Sequence, residues 1–578
     1  MSDQSTLDPA SVNSSDTITV TDDAPQFSEG DSFLKGFGIG FVLSLIGIVV
    51  AWVIGDQGGR TRAGALWGAG ISVTVLGLAL AWVNVDLGVF LSLVMFTAFM
   101  YLILTGYNVA WCFAGTAVAT AIVAHLLGEF EISRLNGLLP AKWIGATSDT
   151  ILLAVPLFVL MGAILERSGL AERLLNAIGL LMGPVRGGVA FAVVIVGTLL
   201  AAATGVVAAT VIVMGLLSLP TMLRLGYDHK LATGVITASG TLAQLLPPSL
   251  VLILLASQMG VGIIGLFSSA LLPGLILAGM YGAYALILSA IKPEVGPAMP
   301  KEERDIGFKL LILEALFSVV PVVLLIFAVL YSIFTGFATP SESGAVGVFG
   351  ALVLAVLIPI FDRILIAAGA KHIEPEWPLT RKRLKEAGES TVNISVLVMT
   401  LIFASSFFVV MFQALGGADQ VAEWLAGIST EKWVFVLVAM VAVFILGINL
   451  EFLEITFIVV PIFVPAMDLL EFTSPEKMWF TILMAINLNM AFISPPVGFS
   501  LFYLQSVAPP EVKTADIHKG AIPFMVLQGI ALVVFYFFPQ IVFKSYEAFT
   551  SVCIDYDARD VIDCVEGAAS THAHTGGG

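Results

Sequence analysis

The chain is dominated by apolar stretches, near residues 33–54, 65–84, 87–105, 109–128, 263–291, 310–335, 344–361, 391–414 and 521–540. Each reaches the roughly 20 residues that a helix needs to cross a hydrocarbon core, where every backbone amide and carbonyl must find its partner inside the segment. The short alternating segments of a transmembrane β-barrel do not appear in the sequence. The chain therefore reads as an all-α polytopic membrane protein. Composition agrees, because 58% hydrophobic and 12% charged residues over 578 positions exceed what a soluble core of this size hides. The opening "MSDQSTLDPASVNSSDTITVTDD" lacks the basic n-region and early apolar core of a secretory signal, so the first spanning helix is expected to direct insertion.

The net charge of -16 resides mostly in the ends. Residues 1–32 hold seven acids and no Lys or Arg, and residues 545–578 hold six acids against Arg559, which leaves the membrane body near -4. Nothing in this distribution points to nucleic acid. Lys and Arg near helix ends tend to stay cytoplasmic. The loops 292–309, with Lys292, Lys301, Arg304 and Lys309, and 362–390, with six bases from Arg363 to Lys385, are therefore expected inside. Counting crossings from these loops places Arg60 and Arg62 inside, and both acidic termini outside.

An internal repeat runs through this layout. "FVLMGAILERSGLAERL" at 158–174 resembles "FVVMFQALGGADQVAEWL" at 408–425, and "SLPTM" at 218–222 resembles "FVPAM" at 463–467. Pro247-Pro248 in "LLPPSLVLIL" matches Pro495-Pro496 in "ISPPVGFSLF". The order is conserved at nearly constant spacing. After Pro220 the chain is basic, with Arg224, His229 and Lys230, whereas after Pro465 it is acidic, with Asp468, Glu471 and Glu476. The copies, about 148–260 and 391–505, are thus expected to face opposite sides of the membrane. An inverted repeat with interrupted helices at matching places marks a secondary transporter whose site lies near the midplane.

Proline inside a helix removes a hydrogen bond and clashes with the preceding turn, at a cost of about 3 kcal/mol. A single Pro-Pro pair would be read as a simple kink. Two such pairs at matching positions, flanked by Ser239, Gly240, Thr241, Gln244 and Ser249 in one copy and by Asn487, Asn489, Ser494, Gly498 and Ser500 in the other, read instead as broken helices. Their free carbonyls and helix ends would meet around a cation and an anionic solute. Some of the small hydroxyl residues also suit close helix packing. Ahead of each break lies a segment expected to be a re-entrant hairpin, about 187–220 and 433–466, the second carrying the intramembrane carboxylates Glu451 and Glu454.

The ordered motifs "LTGYNVA", "GTLAQLLPPS", "ATPSESGAVG", "LEFLEITFIVVPIFVPAM" and "ISPPVGFSLF", spread over residues 88–543, resemble the large membrane subunit of tripartite ATP-independent periplasmic (TRAP) transporters. The resemblance implies Na+-coupled import of a small organic solute, commonly a carboxylate, by an elevator-type movement. It also implies two partners, a small four-helix membrane subunit and a periplasmic solute-binding protein, in the bacterial inner membrane. Carried over by position, the sodium- and solute-binding set falls at Gly205 and Thr210; Ser239, Gly240, Thr241, Pro247, Pro248 and Ser249; Gly447, Asn449 and Glu451; and Ser494, Pro495, Pro496 and Gly498. This chain departs from the family where Gly-Ser-Ser becomes Gly205-Val206-Val207 and Thr-Pro-Pro becomes Ser494-Pro495-Pro496.

The helices at 33–84 are expected to form an accessory pair. Cys553 and Cys564 in the acidic tail are expected to lie in an oxidising compartment, where they can close a small disulfide loop. Residue by residue, a stand-alone Na+-coupled carboxylate symporter or ion antiporter remains an alternative. No H-E-x-x-H, G-x-S-x-G, C-x-x-C or Walker motif is present, so no enzyme chemistry, no cofactor and no ATP hydrolysis is expected of this chain.

Overall fold

The computed structural model describes residues 86–104, 107–301, 307–370, 380–428, 431–448 and 450–543. The acidic termini, the helix pair expected at 33–84, Asn449, Cys553 and Cys564 lie outside the described residues. Two outer helices open the described chain, α1 (Leu87–Leu104) and α2 (Val109–Leu126), and α3 (Leu135–Ser148) meets α4 (Thr150–Arg167) at a bend of 49°. The short α5 (Leu170–Met182) leads into a hairpin of α6 (Gly188–Thr204) and α7 (Val207–Arg224). The first broken helix is α8 (His229–Thr241), a 3-10 turn at Leu242–Gln244, and α9 (Leu250–Met259). Three long helices follow, α10 (Ile263–Ile291), α11 (Phe308–Phe334) and α12 (Pro340–Ala367).

The second half repeats the plan. Helix α13 (Arg381–Ala414) gives way to the short α14 (Gly417–Ile428), as α4 gives way to α5. A hairpin of α15 (Lys432–Gly447) returns through α16 (Phe452–Ile458) and α17 (Val460–Leu469), which meet at 42°. The second broken helix is α18 (Ser474–Phe492) with α19 (Phe499–Val507), and α20 (Thr514–Phe537) closes the set. No strand occurs among the described residues.

The packing carries the same reciprocity. The return arm of the first hairpin, α7, lies on α19, and the return arm of the second, α16 and α17, lies on α9. Each hairpin therefore buries an arm against the other copy's broken helix. Close approach holds the ensemble together where α8 crosses α20. A Cβ on Gly234 would collide with the Gly520 carbonyl, and one on Gly520 with the carbonyl of Lys230, so only glycine fits at this crossing.

Helix ends depart from the sequence expectation for identifiable reasons. Helix α12 starts at Pro340, earlier than residue 344, because Thr339 and Glu342 form a capping box around a first-turn proline. Helix α13 starts at Arg381, ten residues before the apolar run, since Thr380 accepts from the Arg383 amide and the pairs Lys382–Glu386 and Lys385–Glu389 support a charged extension. Helices α3, α4, α5 and α14 are absent from the list of apolar stretches. Their apolar runs are too short or too one-sided to meet a span-length criterion.

Candidate functional site

The first hairpin turns at Gly205, whose φ of 63° lies in the left-handed region that glycine alone adopts cheaply. This tip sits against the first break: a Cβ on Gly205 would stand 3.1 Å from the Pro248 carbonyl oxygen and 3.3 Å from the Leu250 amide nitrogen. Gly205, Pro248 and Ser249 are thereby brought together. Ser249 caps α9, its hydroxyl donating to the Gln244 carbonyl at 3.1 Å. Across the turn the Thr204 and Thr210 hydroxyl oxygens are 2.9 Å apart, both buried, and Thr210 also donates to the Val206 carbonyl at 3.0 Å. Thr204 joins the residues expected from the sequence, where "ATGVVAAT" places a threonine on either side of the two valines that replace the family's serines.

Not every residue flanking the break faces it. Ser239 packs its side chain on Gly197 of α6 and donates within its own helix to Ile236. Gly240 lies against Val211 of α7. These two act in helix packing. Thr241 donates to the Ala238 carbonyl at 2.9 Å, which occupies its proton but leaves its oxygen able to accept.

In the second copy Gly447, at the end of α15, abuts Ala491 just before the second break. Glu451 caps α16, where its amide donates to Glu454 at 3.0 Å in a capping box, and its carboxylate stands close enough to Tyr503 of α19 to interact with it electrostatically. Glu454 is thus tied to the backbone, and Glu451 faces the second broken helix. Ser494, Pro495, Pro496 and Gly498 form the tight connection between α18 and α19, with φ of 33° at Gly498. The two copies touch where Ser500 at the start of α19 donates to the Thr237 carbonyl of α8 at 3.3 Å.

The least expected feature is unspent polarity beside both breaks. Gln244 and Asn489 are fully buried, and neither the nitrogen nor the oxygen of either side-chain amide has a hydrogen-bond partner; the Asn487 oxygen is likewise unpaired, although its nitrogen donates to Met440. A buried polar group without a partner costs about 1–3 kcal/mol. Such groups persist where something other than folding needs them.

The model of the family described as the tripartite ATP-independent periplasmic transporter, DctM component, matches residues 96–541. The chain belongs to this family. It is 28% identical over 391 residues to the C4-dicarboxylate TRAP transporter large permease protein DctM of Pseudomonas aeruginosa, covering 68% of this chain and 84% of that one. It is 24% identical over 436 residues to the sialic acid TRAP transporter permease protein SiaT of Haemophilus influenzae, covering 74% of this chain and 65% of that protein. Among solved structures it is similar to the YdaH transporter of Alcanivorax borkumensis, at 16% identity and a TM-score of 0.46, over 72% of this chain and 90% of that one. This TRAP large permease is a multi-pass membrane protein and a secondary transporter subunit rather than an enzyme.

Proposed function

We propose that this TRAP large permease couples Na+ entry to the import of a small organic carboxylate. In this reading a periplasmic solute-binding protein delivers the solute, and a small four-helix membrane subunit completes the complex in the bacterial inner membrane. The observation that carries the reading is the pair of buried, unpartnered amides, Gln244 and Asn489, one beside each helix break. Their oxygens, the carbonyls freed near Pro247-Pro248 and Pro495-Pro496, and the hydroxyls of Thr241, Ser249 and Ser494 supply the hard oxygen donors that a dehydrated alkali cation needs.

At the first hairpin, Thr204 and Thr210 stand in for the hydroxyls lost at Val206 and Val207, so a cation site there survives the substitution. Glu451, Gly447 and Gly498 belong to the second site, as does Asn449 by its position in the sequence. The transport body, made of the hairpins and broken helices, moves as an elevator against the outer helices. The carboxylate class is supported by the C4-dicarboxylate relative and is shared by sialic acid, itself a carboxylate.

Uptake into proteoliposomes containing the complex tests this. Transport is expected only with an inward Na+ gradient and a loaded binding protein. Robust uptake of free solute by the chain alone would support a stand-alone symporter instead.

A further inference from the structure

Two cavities flank the hairpins at opposite ends of α4, and their charges are arranged differently. One, of about 660 Å³, lies beside α7 near the base of α13, next to the basic loop. Its cations are engaged: Arg173 forms a two-pronged ion pair with the buried Asp362, Arg167 faces Glu166 and Glu386, and Arg383 is partnered as well. Glu172 in the same cavity is exposed and has no ion-pair partner among the described residues. This end therefore opposes an anion.

The other cavity, of about 560 Å³, lies between the α3–α4 elbow, the end of α9, α13 and α17. One crossing of α10 separates it from the basic segment that starts at Lys292. Here the acids are engaged. Asp149 accepts from the Ile151 amide and from the Ser257 hydroxyl, both at 2.8 Å, and Asp468 is bound to Lys477 at 2.5 Å. Lys142, exposed at the rim, has no ion-pair partner among the described residues. The rest of the polar lining is neutral, including Ser406 and Gln258. A volume of this size suits a small molecule, for which sites run from about 300 to 1,000 Å³.

We propose that this second cavity receives the solute before it passes to the helix breaks, and that Lys142 is the positioning cation that draws in its carboxylate. The proposal rests on the import reading above and adds a polarity to it. An anion meets a free cation beside acids that are hydrogen-bonded or ion-paired at the receiving end, and a free acid beside ion-paired cations at the releasing end. Asp149, by bonding Ser257, ties the elbow that carries Lys142 to the broken helix that forms the cavity wall.

The test uses the full complex in membranes, with Cys112, Cys553 and Cys564 replaced by serine and Ser406→Cys as a reporter. The ratio of labelling rates by anionic and cationic methanethiosulfonate reagents is read with Lys142 intact and as Lys142→Gln. The ratio is expected to fall about fivefold or more when the charge is removed. In parallel, carboxylate uptake by Lys142→Gln without the reporter is expected to show a raised half-saturation constant at unchanged maximal rate and unchanged Na+ dependence. Lys385→Gln, at the other end, should alter neither readout. An unchanged labelling ratio, or an unchanged half-saturation constant while uptake persists, overturns the receiving role of Lys142. If the unmodified complex takes up no carboxylate, the solute class of the proposed function is overturned, and the carboxylate assignment made here falls with it.

Discussion

Gly205 is constrained twice over at the tip of the first hairpin. Its positive φ disfavours any side chain, and a Cβ there would stand 3.1 Å from the Pro248 oxygen, so the facing backbone would have to give way. Gly205→Ala is expected to destabilise the protein by about 1–2 kcal/mol and to depress transport sharply, checked by thermal unfolding in detergent together with uptake. Thr204→Val and Thr210→Val should each raise the Na+ concentration for half-maximal uptake, and the double variant should be little worse than either single one, because the hydroxyls work as one 2.9 Å pair. Additive effects would indicate two separate roles. At this scale the sequence was only partly legible. Pro247-Pro248 and the neighbouring hydroxyls announced the break, but nothing local distinguishes Ser239, which packs on Gly197, from Thr241. The unpaired state of Gln244 depends on which helices surround it, and that is decided far away in sequence.

Elements that depend on a break or a cap were easier to anticipate than those held by distant partners. The two hairpins emerge at Gly188–Arg224 and Lys432–Leu469, close to the expected 187–220 and 433–466, because glycine, proline and flanking charge all act locally. The start of α12 was written in "ATPSESG" as a capping box, a signal that apolar length alone overlooks. Helix α5 is different: at thirteen residues with Glu172 and Arg173 in its first turns it cannot span, and it is fixed by the ion pair from Arg173 to Asp362 on α12, 189 residues away. Removing Arg173 leaves the fully buried Asp362 carboxylate without its partner. Arg173→Met is accordingly expected to cost about 3–5 kcal/mol, seen as a marked fall in melting temperature, whereas combining it with Asp362→Leu should recover most of it. A double variant as unstable as the single one would mean that the charges themselves are required.

Among the described residues two copies of one plan each lend the hairpin's return arm to the other's broken helix, around Gln244 and Asn489, which keep their hydrogen-bonding capacity unspent. The basic loops at 292–309 and 362–390 are expected on the cytoplasmic side, because Lys and Arg near helix ends tend to stay there. That placement predicts that Cys553 and Cys564 are reached by a membrane-impermeant thiol reagent from outside intact cells, and only after reduction if they are bridged. A tail labelled solely from the cytoplasm would reverse the assignment of sides. On the proposed function, the unpaired amides Gln244 and Asn489 exist for the coupling ion. The most direct measurement follows radioactive Na+ and labelled solute together in proteoliposomes for the unmodified complex and for Gln244→Leu and Asn489→Leu, each also melted in detergent. Removing an amide that has no partner should leave stability unchanged or raise it by about 1–2 kcal/mol, while Na+ entry coupled to solute is lost. Full Na+-coupled uptake by both leucine variants would contradict the account.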